Sequence, residues 1–241
     1  MKVDTICGAR AVDALFARRP DEVQRLFYLD ALTRLAGPHC AVLARARKPY
    51  RLVEAAELET IAGTPHHGGI VAVAKPRVPT ILDMAKLQRY RLILALDGIG
   101  NPHNLGAIAR SAAFFDVQAL LIGEGPGHAM PSDAAYRTAE GGLEWLDLYR
   151  TRDLPRALRL FDAHYTTVAA TLTDSAAPLA ELPRDRSIVL VVGNEETGVS
   201  APVVEACRRQ VRIPGSGRVQ SLNVAQATSV LLAGLAAPPG T

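Results

Sequence analysis

Arg110 is the residue that most needs a reason. It is a permanent cation one turn into the otherwise small and apolar stretch Gly106–Phe115 (GAIARSAAFF), which reads as a helix. A charge that cannot be shed does not suit a core, so something must explain its place. A turn-rich loop, Asp97–Gly106, leads into it and carries Asn104. Two further loops have the same character: Gly193–Gly198 (GNEETG), with Glu195, and Pro214–Asn223 (PGSGRVQSLN), with Ser221 and Asn223. Each follows an apolar run that reads as a strand: Leu92–Leu96, Ser187–Val192 and Val211–Ile213. Loops after parallel strands gather at one edge of a sheet, where ligands of α/β folds bind. Taken singly, each has a plain reading: Gly193 and Gly198 as turn residues, Asn104 as an Asx turn, Glu195 as a solvated charge. Three such loops behind three strands favour a shared site.

Several chemistries lose support at once. A dinucleotide fingerprint needs glycine at the sixth position of G-x-G-x-x-G. The three candidate starts at Gly98, Gly123 and Gly215 place His103, His128 and Gln220 there, and no Walker lysine motif exists. His66 and His67 are adjacent and the three cysteines, Cys7, Cys40 and Cys207, form no CxxC, so neither a metal site nor a disulfide framework is expected. No G-x-S-x-G nucleophile motif is present. No apolar run approaches the roughly 20 residues of a membrane helix, and the N-terminus lacks the apolar core of a signal peptide. The expected setting is the reducing cytoplasm.

The elements that must position these loops follow from composition and periodicity. The 241 residues are 49% apolar and 21% charged, enough for an ordinary core. The net charge of +3 is uneven: residues 1–79 hold 12 Lys+Arg against 8 Asp+Glu. Arg45, Arg47, Lys48 and Arg51 crowd together there. Alone they are an ordinary solvated face; as a cluster they are the candidates for phosphate contact. Residues 1–79 read as a small α/β unit: helices at Ala9–Ala17, Ala31–Ala36 (broken by Gly37-Pro38) and Ala55–Ala62, with strands at Val23–Leu29, Tyr50–Val53 and Gly69–Ala74. Lys75–Thr80 (KPRVPT) reads as a linker. Residues 80–241 then alternate strand and helix, ending in a helix over Leu222–Leu235, which implies a mostly parallel sheet covered on both faces.

The loops also carry a resemblance. Asn101-Pro-His-Asn-Leu-Gly-Ala-Ile-Ala-Arg110, Val192-Gly-Asn-Glu-Glu-Thr-Gly198, and Ile213-Pro-Gly through Ser221-Leu-Asn-Val224 resemble the three signature motifs of the SpoU (TrmH-like) branch of the SPOUT RNA methyltransferases. Cys7-Gly-Ala-Arg-Ala-Val12 and His67-Gly-Gly-Ile-Val-Ala72 resemble the substrate-binding domain often joined to that branch, a fold like ribosomal protein L30e. Between motifs one and two the family often has Ser-x-Gly-Ala; here Glu140-Gly-Gly142 stands in its place.

The resemblance implies an α/β SPOUT fold with a C-terminal trefoil knot, an exception to the rule against knots. It implies an S-adenosyl-L-methionine (AdoMet) site near Gly193, Gly198, Ile213 and Leu222, and methyl transfer to a ribose 2′-hydroxyl of structured RNA, tRNA or rRNA. Arg110, Asn104, Glu195, Ser221 and Asn223 would be its catalytic residues, with Ser221 bonded to one of the asparagines and Glu195 placing Arg110 or the ribose. A homodimer with the site near the interface is implied as well. Two alternatives stay open: an RNA-binding protein of the same fold with little activity, and a SPOUT enzyme that methylates a base nitrogen.

Overall fold

A computed structural model describes residues 2–87, 90–173, 175–183 and 185–236. The first unit holds strands β1 (Asp4–Cys7), β2 (Val23–Tyr28), β3 (Tyr50–Leu52) and β4 (Ile70–Ala74), with helices α1 (Ala9–Arg18), α2 (Thr33–Arg45) and α3 (Ala55–Ala62). Its sheet runs β1-β4-β2-β3, with β4 antiparallel to both neighbours. The second unit begins with β5 (Thr80–Ile81), α4 (Met84–Leu87), β6 (Leu92–Asp97), α5 (Pro102–Phe114), β7 (Ala119–Gly123), α6 (Asp133–Ala139), α7 (Gly142–Trp145) and β8 (Asp147–Thr151). It continues through α8 (Leu154–Phe161), β9 (Tyr165–Ala170), β10 (Ala177–Pro178), β11 (Ser187–Gly193), α9 (Ala201–Ala206), β12 (Arg209–Arg212) and α10 (Val224–Ala236). Its sheet runs β10-β12-β9-β11-β6-β7-β8-β5, and each pairing in it is parallel.

The centre of that sheet follows from the apolar runs. Residues Ile188–Val192 of β11 and Ile93–Leu96 of β6 are buried throughout, as strands covered on both faces must be. α8 shows the complementary pattern, burying Leu154, Ala157, Leu158 and Phe161 at helical spacing behind an Asp153 cap. α10 packs against α5 and against the Leu179–Glu181 turn of the β9–β11 connection; a Cβ on Gly234 would lie 2.3 Å from Leu179 Cδ2.

Three expectations change. The helix carrying Arg110 starts at Pro102, four residues early, because Asn101 caps it by accepting from the His103 amide at 2.8 Å and Pro102 occupies its first position. Arg110 therefore stands in the third turn rather than one turn in. α2 runs straight through Gly37-Pro38 to Arg45. Both are exposed, so the missing proline amide frees only an outer carbonyl, while buried Ala36 and Leu43 hold the helix down. β1 was absent from the sequence reading; four residues are too few to show a period.

Lys75–Thr80 is not a free linker. The Arg77 amide donates to Asp4 Oδ2 at 2.8 Å, and its guanidinium donates to the carbonyls of Leu143 and Leu146. Arg19 donates to the Lys75 carbonyl at 2.8 Å. One apolar cluster joins Ile6, Leu15 and Leu26 of the first unit to Tyr136, Leu143 and Leu146 of the second. The two units share a core.

Candidate functional site

The parallel register sets the site. Gly193 at the end of β11 lies opposite Asp97 at the end of β6, so the loops after these strands leave the sheet side by side. Asn194 ties them together. Its Nδ2 donates to the Gly98 carbonyl at 2.9 Å, and its Oδ1 accepts from the amides of Glu196 and Thr197 at 2.9 and 3.2 Å. The Gly198 amide returns to the Asn194 carbonyl at 2.9 Å, closing the second loop. Gly98 and Gly198 hold φ of 72° and 70°, the left-handed region that side chains resist. Gly193 is confined by the same closure: a Cβ there would lie 2.2 Å from Gly198 C and Val199 N. His128 braces the first loop from outside, its Nε2 accepting from the Gly98 amide at 3.2 Å.

The third loop starts farther away. β12 is three strands from β6 in the sheet order, about 14 Å at ordinary strand spacing. Residues 213–223 cover that distance and end at α10, which lies against α5. There the side chains of all three loops meet. Asn104, in the first turn of α5, donates to Glu195 and accepts from Asn223 Nδ2 at 3.3 Å. The Asn223 Oδ1 accepts from the Ala225 amide at 2.9 Å and so fixes the start of α10. Asn104, Glu195 and Asn223 thus stand together, as the sequence suggested.

Other candidates are placed differently. Arg110 does not pair with Glu195. Its Nη1 lies 3.0 Å from Glu140 Oε1, and its side chain is 54% exposed. Six residues along a helix turn it about 120° away from Asn104 and carry it about 9 Å down the axis. Ser221 is exposed and makes no hydrogen bond to either asparagine among the described residues. Ile213 is half-buried against the core, whereas Leu222 is 45% exposed. In the basic cluster, Lys48 Nζ donates to the Asp21 carbonyl and Arg51 pairs with Glu57, while Arg45 and Arg47 are exposed with no ion pair among the described residues.

Two further observations concern the described residues. No group of His, Cys, Asp or Glu side chains is placed to hold a metal ion. Burial pushes the Cys7 thiol up to about 11 and the Cys207 thiol up to about 12, so neither is a thiolate nucleophile near neutral pH. The residues not assigned from sequence are Asn194, His128 and Glu140. Asn194 sits inside a quoted motif, and only the bonds of its side chain show its role.

Known proteins resemble this chain in sequence and in fold. Residues 91–233 match the model of the SpoU rRNA Methylase family, and residues 5–80 match that of RNA 2′-O ribose methyltransferase substrate binding. The chain is 33% identical over 229 residues to an uncharacterized tRNA/rRNA methyltransferase, YfiF, of Escherichia coli O157:H7, covering 94% of this chain but 66% of that one. It is 30% identical to the 23S rRNA (guanosine-2′-O-)-methyltransferase RlmB of Acinetobacter baylyi, covering 93% of both. Its fold matches the crystal structure of AdoMet-bound rRNA methyltransferase from Sinorhizobium meliloti with a TM-score of 0.79 at 22% identity, over 97% of this chain and 86% of that one. With one family model covering residues 91–233, which hold seven of the eight strands of the parallel sheet, and a relative at 30% identity matched over 93% of its length, the chain belongs to the SpoU rRNA methylase family.

Proposed function

We propose that the chain is an AdoMet-dependent methyltransferase acting on a ribose 2′-hydroxyl of structured RNA. Ribosomal RNA is the first substrate to test, because the relative named for 23S rRNA matches over nearly its whole length. The observation that carries the reading is Asn104, which joins Glu195 and Asn223 and so draws three distant loops into one site.

The loops fit the cofactor. Around the Cβ positions of Gly215 and Gly217 no heavy atom lies within 4 Å, so backbone there is open to a ligand. Exposed Leu222 and half-buried Ile213 offer an apolar surface to a neutral adenine. Gly193 and Gly198, with these two, would hold the adenosine. AdoMet supplies a methyl group already activated by a positively charged sulfur.

The chain's own residues supply position and charge. Asn104 and Asn223 orient the ribose, and Glu195 fixes the Asn104 amide. Ser221, exposed two residues before Asn223, is open to the incoming substrate. Arg110 grips the neighbouring phosphate and stabilises the alkoxide as its charge develops. A guanidinium keeps its proton, so the hydroxyl proton leaves to phosphate or solvent. Positioning then provides much of the rate.

The working unit in this reading is a homodimer. Phe114, four residues beyond Arg110 on α5, is 80% exposed, and Val230 on the packed neighbour α10 is 44% exposed. A second copy covering that face also covers Arg110 and brings it into a shared site. Residues 1–79 serve as the RNA-binding unit and residues 80–241 as the methyltransferase unit. An RNA substrate and three free thiols fit the cytoplasm.

The test is transfer from AdoMet carrying a deuterated methyl group to bacterial ribosomal RNA and tRNA, with nucleosides read by mass spectrometry. Label on a 2′-O-methyl nucleoside, lost in Arg110→Ala, is expected. Label on a base nitrogen, or RNA binding without label, overturns the reading.

A further inference from the structure

Glu140 holds φ at 45°, the left-handed region, at the C-cap of α6. Glycine is the usual occupant of such a cap because a Cβ is penalised there. The two glycines after it are wedged. A Cβ on Gly141 would lie 2.9 Å from Ala14 Cβ and 3.0 Å from the Arg10 carbonyl, both in α1. A Cβ on Gly142 would lie 2.8 Å from the Ala109 carbonyl and from Arg110 Cα, both in α5. The segment therefore fits between the helix of the first unit and the helix turn that carries Arg110. The Glu140 carboxylate at its head reaches both sides: Oε1 is 3.0 Å from Arg110 Nη1, and Oε2 is 3.8 Å from Arg10 Nη1. An exposed ion pair contributes little to stability. A strained backbone kept for such a pair points to function.

We propose that Glu140 is a positioning residue for methyl transfer, holding the Arg110 guanidinium in the orientation that meets the substrate phosphate. The inference rests on the methyltransferase reading above. The wedge fixes where the carboxylate stands, and the carboxylate limits where Arg110 can swing. Arg10 shares the same carboxylate, so the first unit contacts the catalytic cation through one side chain.

Two variants test this. Glu140→Gly removes the carboxylate and also relieves the backbone, so its Tm should equal or exceed that of the unmodified protein. Its kcat should fall about tenfold, as a misplaced group costs rate without loss of binding, while KM for RNA and Kd for AdoMet stay within about threefold. Glu140→Gln, which keeps the length and one acceptor oxygen, should recover part of the loss. A purely structural role predicts the reverse: the glycine variant, better suited to the cap, would keep its full kcat, and that result overturns the proposal alone. A wild-type protein that transfers no methyl group overturns the methyltransferase reading and this proposal with it.

Discussion

Arg19 and Glu144 form a two-pronged ion pair across the two units, Nε to Oε2 at 2.9 Å and Nη2 to Oε1 at 2.9 Å. Glu144 is 1% exposed, and Arg77 reaches the same carboxylate at 3.3 Å. Burial works against the charge on Arg19, but the bond and charge of Glu144 outweigh it and raise its pKa; on Arg77 burial prevails and lowers it. Neither guanidinium gives up its proton near neutrality. Glu144→Ala therefore removes the buried carboxylate that both half-buried cations share. We expect a loss of about 3–5 kcal/mol in urea unfolding, the usual result of removing one member of a buried pair. A loss below about 1 kcal/mol would place this cluster with ordinary surface pairs instead.

Gly193→Ala separates cofactor binding from folding. The added Cβ would meet the Gly198–Val199 peptide at 2.2 Å, so the second loop must move while the buried part of β11 stays. Calorimetry should show AdoMet affinity weakened at least about tenfold, or 1.4 kcal/mol, with a cooperative melt preserved. Undiminished affinity would take the second loop out of the cofactor site.

The basic cluster divides in the structure, and RNA binding should divide with it. Lys48 and Arg51 already have partners, whereas Arg45 and Arg47 stand free of ion pairs among the described residues. Arg47 holds φ at 54°, so asparagine is the substitution its backbone accepts. The double variant Arg45→Ala/Arg47→Asn should lower the slope of log K against log salt by about 1.5, two phosphate contacts' worth. The pair Lys48→Ala/Arg51→Ala should change it less. Equal slopes in both double variants would make the cluster a solvated face and no more.

How far the sequence could be read depends on the range of the interaction. β6 and β11 were legible because strands buried on both faces leave continuous apolar runs. The Asn101-Pro102 pair was a legible cap that would have started α5 in the right place. Asn104, Glu195 and Asn223 were chosen correctly as neighbours, because each follows a strand of one parallel sheet. The partner of Arg110 was not legible. Glu140 is 30 positions away, in a left-handed backbone that no local pattern announces, and only the packing of Gly141 and Gly142 brings it to α5. Nor was the bolting of Lys75–Thr80 visible, since two prolines look the same in a loose linker and in one fixed by Asp4, Arg19 and Leu146.

The position of Arg110 on α5 yields a prediction about subunits. Asn104 meets Glu195 and Asn223 of its own chain, while Arg110 stands about 120° around the same helix, on the face shared with exposed Phe114. If that face is the dimer interface, the arginine of one copy serves the loops of the other. Arg110→Ala and Asn104→Ala should each abolish methyl transfer alone. Co-expressed, they form mixed dimers in which one site combines intact loops with an intact arginine. Random pairing then restores about one quarter of the wild-type activity, because half the dimers are mixed and each has one whole site of two. Sedimentation of the same sample should give a dimer. Activity no greater than the sum of the parents would mean that Arg110 serves the loops of its own chain, and Phe114 would then need a different partner.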